Sequence, residues 1–275
     1  MSSAALPNLT VQECWACLAS VSVGRLVYTE EALPTIRPVN FSVADGHVVI
    51  WSRPGGKARA LRGQVAAFQV DRIDEATGAG RNVVVIGTVS VVSDENESLS
   101  QIEPGRRPWV VGRLDHVIRL PVQRMVGQRW NLRPSVPSAV GVPVVGAATG
   151  GTSAVGLNAR ECWDRIAAAT VGRLAYTDCA LPAVGLVEFT VDDDQILVRP
   201  VSGGTVEVAH GGMVAFEVDQ LDPRTRTGWS VVVLGQAEVT GGPDQLVRVR
   251  LERITGRQLL PATDDWGTGD ALTVV

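Results

Sequence analysis

The feature that most constrains this chain is an internal duplication. ECWACLASVSVGRLVYTEEALP from Glu13 returns as ECWDRIAAATVGRLAYTDCALP from Glu161, 148 positions later. The register then holds without a gap as far as Gly87 against Gly235. Near the ends, VIRLPVQRMVGQ from Val117 matches LVRVRLERITGR from Leu246 at an offset of 129, so the second copy is 19 residues shorter, in the loop that carries Pro108 and Trp109. A period this long is a duplicated domain, since solenoid repeats recur every 20 to 50 residues or so. Two like subunits joined end to end form a pseudo-dimer, in which the two halves of each interface site are free to diverge.

Within one repeat the pattern is a helix followed by closely spaced strands. Thr10 with Glu13 three residues on is a capping box, and Val11, Cys14, Trp15 and Leu18 recur at helical spacing. A strand pattern follows over residues 21–28. In residues 37–57, Val39, Phe41 and Val43 alternate on one face, Asp45-Gly46 is a two-residue turn signal, and residues 48–51 return as a second strand. A short helix is expected over 57–61, and strands over 65–70, 82–92 and 117–122. Such spacing argues for a mainly β fold with flanking helices, a barrel or curled sheet rather than a βαβ array. Residues 132–158, rich in Pro, Gly, Ser and Ala, read as a linker between domains at 1–131 and 159–275.

Composition narrows the classes. The chain is 45% apolar and 20% charged with a net charge of −4, and its Lys and Arg form no basic stripe, so nucleic acid is not an expected partner. No apolar run reaches the roughly 18 residues of a membrane helix and the N-terminus lacks a signal-peptide pattern, so a cytoplasmic protein is expected. Cys14 and Cys17 form a CxxC, but His47, His116 and His210 are isolated in sequence, so no metal site is expected. Cys14 and Cys162 occupy matching places and read as buried thiols.

Comparing the copies separates scaffold from the rest. Trp15 and Trp163, Gly24-Arg25 and Gly172-Arg173, Phe41 and Phe189, and Phe68 and Phe216 persist in both. The polar cluster of the 37–57 hairpin does not: Arg37 becomes Gly185, Pro38 Leu186, Asn40 Glu188, Ser52 Pro200, Arg53 Val201 and Lys57 Thr205. Arg37, Ser52, Arg53 and Lys57 therefore form a candidate anion site, intact in the first copy alone. A solvated charged face that drifted in the second copy accounts for the same residues.

The strings RPVNFSVADGHVVIWSRPGGK, AFQVDRID and AFEVDQLDPRTRTGWSVVVLGQAE, with ECWxxLxxxSVGRLVY, resemble the pyridoxamine 5'-phosphate oxidase-like split-barrel flavoproteins over nearly the whole chain apart from linker and tails. The resemblance implies two tandem six-stranded antiparallel split β-barrels with FMN in an interface groove. It further implies that Arg37 and Lys57 hold the phosphate, that Ser52 and Arg53 add donors, and that the backbone of Pro38, Val39 and Asn40 lines the isoalloxazine ring. Trp229 and Ser230 are the expected contribution of the partner repeat. One flavin per chain follows, with a small-molecule substrate or an electron donor such as NAD(P)H, and an intrachain pseudo-dimer able to act as a monomer. Deazaflavin is the alternative cofactor; haem fits poorly, because the three histidines offer no axial-ligand setting. An FMN-dependent oxidoreductase and a non-catalytic flavin-storage or ligand-sensing protein both fit, since the cofactor carries the redox chemistry and no acid, base or nucleophile stands out. His116 reads as an exposed strand-end histidine, and Trp109 as a packing residue.

Overall fold

The computed structural model describes residues 8–52, 57–74, 77–92, 116–131, 152–192, 195–200, 211–240 and 246–261. Each repeat carries one capped helix, α1 (Val11–Ser20) and α2 (Ala159–Ala168). Thr10 and Asn158 accept from the backbone N–H of Glu13 and Glu161, whose carboxylates reach back to the cap, so both are complete capping boxes. The backbone N–H of Thr10 and the guanidinium of Arg129 together hold the Glu13 carboxyl down at about 2.

The first repeat continues through β1 (Val23–Glu30), β2 (Leu33–Asn40), β3 (Ser42–Ala44), β4 (His47–Ser52), a 3-10 turn at Lys57–Leu61, β5 (Val65–Ile73), β6 (Ala79–Thr88), β7 (Ser90–Val92), β8 (His116–Pro121) and β9 (Arg124–Asn131). The second comprises β10 (Thr152–Leu157), β11 (Val171–Asp178), β12 (Leu181–Asp192), β13 (Gln195–Pro200), β14 (Met213–Asp222), β15 (Thr227–Val239) and β16 (Val247–Pro261). All pairings are antiparallel. In the second repeat β16-β13-β12-β11-β14-β15 closes on itself through a β15–β16 pairing, giving a six-stranded barrel. The first repeat traces the same six passes, with three of them broken: β2 and β3 match β12, β6 and β7 match β15, and β8 and β9 match β16. The chain is thus two split barrels in tandem, mainly β with one flanking helix each.

The hairpin of residues 37–57 is divided differently from the expectation. Its Asp45-Gly46 turn forms, both residues with φ near 49° and 74°, but the incoming strand breaks at Phe41. β2 belongs to a sheet with β1, whereas β3 pairs with β4 in a second sheet. The linker boundary also shifts. Residues 152–157 form β10, paired with β16 from Thr152↔Pro261 to Leu157↔Gly256. β16 offers a long edge to pair with, which composition within the linker could not disclose.

Each barrel interior is built on the same joint. Phe41 meets Phe68 edge to face at 4.7 Å and Phe189 meets Phe216 at 4.9 Å. A side chain at Gly24 or Gly172 would be driven into the second ring of its pair, which is why GR persists in both copies. Gly127 and Gly256 likewise leave room for the buried thiols of Cys14 and Cys162. Cys17 is buried and unpaired as well, and Cys179 is exposed.

Between the barrels, β1, β2 and β5 pack on β11, β12 and β14. Val27, Ile36 and Ala67 meet their counterparts Ala175, Val184 and Ala215 in an apolar layer. Beside that layer lies a buried ionic cluster. Arg25 forks onto Asp219 of the other repeat, with Nη2 at 2.6 and 2.7 Å from its two oxygens, and Nη1 reaches Asp71 at 3.2 Å. Arg173 returns the arrangement, with Nε and Nη2 on Asp71 at 2.9 and 2.8 Å and Nη1 on Asp219 at 3.4 Å. Burial alone would raise both Asp carboxyls, but the two guanidiniums outweigh it and hold them below the usual range.

The symmetry breaks at one pair. Gln69 of β5 corresponds to Glu217 of β14, also fully buried, and neither Glu217 oxygen finds a hydrogen-bond donor. Burial first, and then the Asp219 charge, push the Glu217 carboxyl well above its ordinary value, against the pull of the Arg173 and Arg25 guanidiniums 3.7 and 3.8 Å from its Oε2. A carboxyl raised in the folded state stabilises fully below its unfolded value and loses that contribution as pH rises toward the folded one. Glu217→Gln, which copies Gln69, is therefore expected to melt higher than the parent at pH 8, on the order of 2–4 °C for each kcal/mol recovered. The gap should close toward pH 4.5, which thermal melts across that range check; no gap at pH 8 would contradict a raised Glu217 carboxyl.

Candidate functional site

A cavity of about 410 Å³ opens between the repeats. One wall is the β1–β2 hairpin of the first repeat, with Glu30, Glu31, Thr35, Arg37 and Pro38; the other is the β14–β16 face of the second, with Ser230, Val232, Leu234, Arg253, Thr255 and Arg257. Antiparallel register explains the second wall. Ser230, Val232 and Leu234 are alternate residues of β15, and their partners on β16 are Arg257, Thr255 and Arg253, so all six share one face. The Glu31-Ala32 turn of the hairpin takes φ of 51° and 63°. Non-glycine residues rarely adopt this conformation, which two-residue hairpin turns require.

Arg37 sits 3.6 Å from Glu30, both partly exposed, and beside the Tyr28 hydroxyl. Burial raises the Tyr28 phenol to about 12, with Arg37 pulling the other way, so it stays protonated at neutral pH. The cavity thus carries three guanidiniums against two carboxylates, with three hydroxyl side chains between them. Such a donor set suits an oxyanion, because guanidinium forks match phosphate and carboxylate oxygens in pairs.

Of the residues expected from sequence, Arg37, Pro38 and Ser230 come together on the cavity walls. Val39 is packed in the first barrel core, and Asn40 is buried with Nδ2 donating to the Ser22 carbonyl at 3.4 Å. Ser52 is buried at the end of β4, paired in register with His116. Arg53, the Lys57 side chain and Trp109 lie outside the described residues. Trp229 precedes Ser230 and so points to the opposite face. Its ring is buried in the second barrel core, where Nε1 donates to Gln220 at 3.3 Å and the Arg165 guanidinium lies 5.6 Å from the ring centroid. His116 is buried rather than exposed, accepting from Arg59 Nε at 3.0 Å, because the 3-10 turn folds over the start of β8. Sequence reasoning missed Arg253, Thr255 and Arg257. Their signal was present in the aligned copies, where RITGR stands against RMVGQ.

The mirror-related positions make a control. They would be Gly185 and Ala183 of the second repeat facing Asn82, Val84 and Ile86, with Arg124, Val126 and Gln128 on β9. A Cβ at Gly185 would meet nothing within 4 Å, and Val126 is exposed. One arginine stands there in place of three.

A split barrel duplicated in one chain, with a groove between the copies, defines the structural class. The chain belongs to the family described as pyridoxamine 5'-phosphate oxidase, whose sequence profile it matches twice, over residues 10–130 and 158–258. The uncharacterised protein Rv0080 of Mycobacterium tuberculosis is 36% identical over 128 residues, spanning 44% of this chain and 84% of that protein. Among solved structures, a FAD binding protein from Mycobacterium smegmatis is 33% identical, with 38% of this chain covering 98% of that one at a TM-score of 0.34. A putative pyridoxamine 5'-phosphate oxidase from Corynebacterium glutamicum is 26% identical, with 46% of this chain covering 99% of that one at a TM-score of 0.39. No helix among the described residues is long and apolar enough to cross a membrane.

The opposite facing of neighbours on β15 is open to test. Trp229→Ala should destabilise the chain by about 3–5 kcal/mol, the usual cost of emptying a buried aromatic site, whereas Ser230→Ala should cost less than about 1 kcal/mol. Urea denaturation of the two variants checks this, and equal losses would contradict the placement.

Proposed function

We propose that the chain binds one flavin, FMN, in the cavity between its repeats and uses it to oxidise or reduce a small molecule. The observation that carries this reading is the cavity itself, cationic on both walls, with Gly185 and Gln128 at the positions related by the repeat to Arg37 and Arg257. Its size falls within the range of about 300–1,000 Å³ common for cofactor and small-ligand sites. Family membership supports a flavin as the occupant.

In this reading Arg37, with Arg53 and Lys57 as the sequence resemblance implies, holds the phosphate. Pro38 and the β2 backbone through Val39 and Asn40 lie along the ring, and Ser230 faces it from the second repeat. When bound, the flavin supplies hydride or electron transfer. The chain binds and orients it, and the apolar Leu33, Ile36, Val232 and Leu234 of the lining limit water around it. The two repeats together complete the site, so the single chain is the binding unit and NAD(P)H the expected class of electron donor.

The full chain incubated with FMN and desalted should retain the flavin absorbance at one equivalent. Arg37→Ala should weaken retention at least about tenfold, the size of one lost charge-assisted hydrogen bond to phosphate. A colourless wild-type chain would overturn flavin binding, and unchanged retention in Arg37→Ala would overturn the phosphate assignment. Bleaching of the bound flavin by NADPH is the expected result for an oxidoreductase; a tightly bound flavin that no nicotinamide donor reduces would identify a storage protein instead.

A further inference from the structure

We propose that the chain carries a second ligand site, in the groove related to the cavity by the repeat, and that this site takes an uncharged planar ring bearing an N–H donor. One wall is β12 of the second repeat and the other is the β6–β9 face of the first. The groove therefore lies apart from the cavity given to the flavin, and it is defined without that reading.

Register and packing set the walls. Asn82, Val84 and Ile86 are alternate residues of β6, and their partners on β9 are Gln128, Val126 and Arg124, so all six share one face. Val84 and Ile86 pack with Val184 and Ala67 in the apolar layer between the barrels, which turns that face toward β12. The groove is open. A Cβ at Gly185 would meet nothing within 4 Å, and Leu181 and Val126 are 38% and 40% exposed. Leu33 and Thr255, their counterparts, line opposite walls of the cavity, so Leu181 and Val126 belong to opposite walls here.

The chemistry of the lining selects the ligand. Thr35, Arg37 and Thr255 of the cavity are replaced by Ala183, Gly185 and Val126. Among the counterparts of the cavity's lining residues the charged ones are Asp178 and Arg124, one of each sign. So balanced a groove has no excess cation for a phosphate or carboxylate, and an anion placed against valine and leucine would lose its hydration without compensation. Packed sheets stand about 10 Å apart, and side chains as short as those of Ala183 and Gly185 leave between them a flat slot that a ring fills. Asn82, in register with Asp71 of the buried cluster, closes the inner end. It is 4% exposed, it shares its face with Val84, and its Oδ1 has no hydrogen-bond donor. A buried acceptor left so is costly, and a ligand N–H removes the cost. A face released to solvent would gain polar side chains. Here three polar positions are Ala, Gly and Val, and two large apolar side chains stand exposed on the walls of one groove.

Lumichrome, the flavin ring system without its ribityl phosphate, is the probe. It would be titrated into the full chain already saturated with FMN, following the heat of binding and the ligand fluorescence. One equivalent is expected to bind without releasing FMN. Gly185→Glu puts a charged side chain into the open space, at a position where the first repeat carries arginine, and Val126→Lys does the same from the other wall. Each should weaken lumichrome binding at least about tenfold and change FMN affinity less than about threefold. Absence of lumichrome binding, binding that expels FMN, or binding that either variant leaves unchanged would overturn the site. Uptake of a second equivalent of FMN that Gly185→Glu abolishes would overturn the uncharged ligand class. A chain that takes up no FMN, yet binds lumichrome in a way that both variants weaken, would refute the flavin reading and uphold this groove.

Discussion

The crossed pairs of Arg25 with Asp219 and Arg173 with Asp71 set the geometry on which the rest of the molecule depends. Each guanidinium spends its fork on the carboxylate of the other repeat, and all four side chains are at most 7% exposed. Taking charges out of water costs several kcal/mol per ion, so the cluster contributes little net attraction. The attraction comes from the apolar layer of Val27, Ile36, Ala67 and their counterparts, which has no directional preference. The cluster supplies the direction. A shift of one residue between the barrels would leave a buried charge without its partner, a loss that is far larger than any gain from apolar sliding.

That fixed register is what makes a cavity from two separate walls. The β1–β2 hairpin and the β15–β16 face belong to different barrels, and neither encloses a volume alone. Ser230 is paired in register with Asp219, and Pro38 with Arg25, so each wall joins directly onto a residue of the cluster. The charged lock and the candidate site are adjacent stretches of the same strands. Precision in the first is inherited by the second.

Much of the fold was legible because it is local. Capping boxes, turn residues and alternation lie within a few positions of one another, and the duplication revealed which of them are scaffold. What could not be read depended on partners distant in sequence. β10 looked like linker until β16 offered an edge; His116 looked exposed until the 3-10 turn covered it. The site was half legible for the same reason. Arg37 stood out as a charge that its copy had lost, and Ser230 was found beside Trp229, but strand parity divides those two between cavity and core. Arg253, Thr255 and Arg257 share a face with Ser230 only through a pairing 27 residues apart, from Ser230 to Arg257.

Fusion of the two barrels explains why the interior could become asymmetric along with the cavity. In a homodimer, a glutamate at the position of Gln69 would appear twice, placing two extra carboxyls against two guanidiniums that two aspartates already neutralise. Both would be desolvated in the same buried cluster, each against the field of the neighbouring aspartates. In a single chain the change falls on Glu217 alone. The same uncoupling lets Arg37 persist on one repeat while Gly185 replaces it on the other, and lets β16 acquire a cationic face that β9 lacks. A buried acid opposite a buried amide, and Arg37 opposite Gly185, are thus two products of a single constraint: covalent linkage keeps the repeats together while each side of the interface is free to change alone.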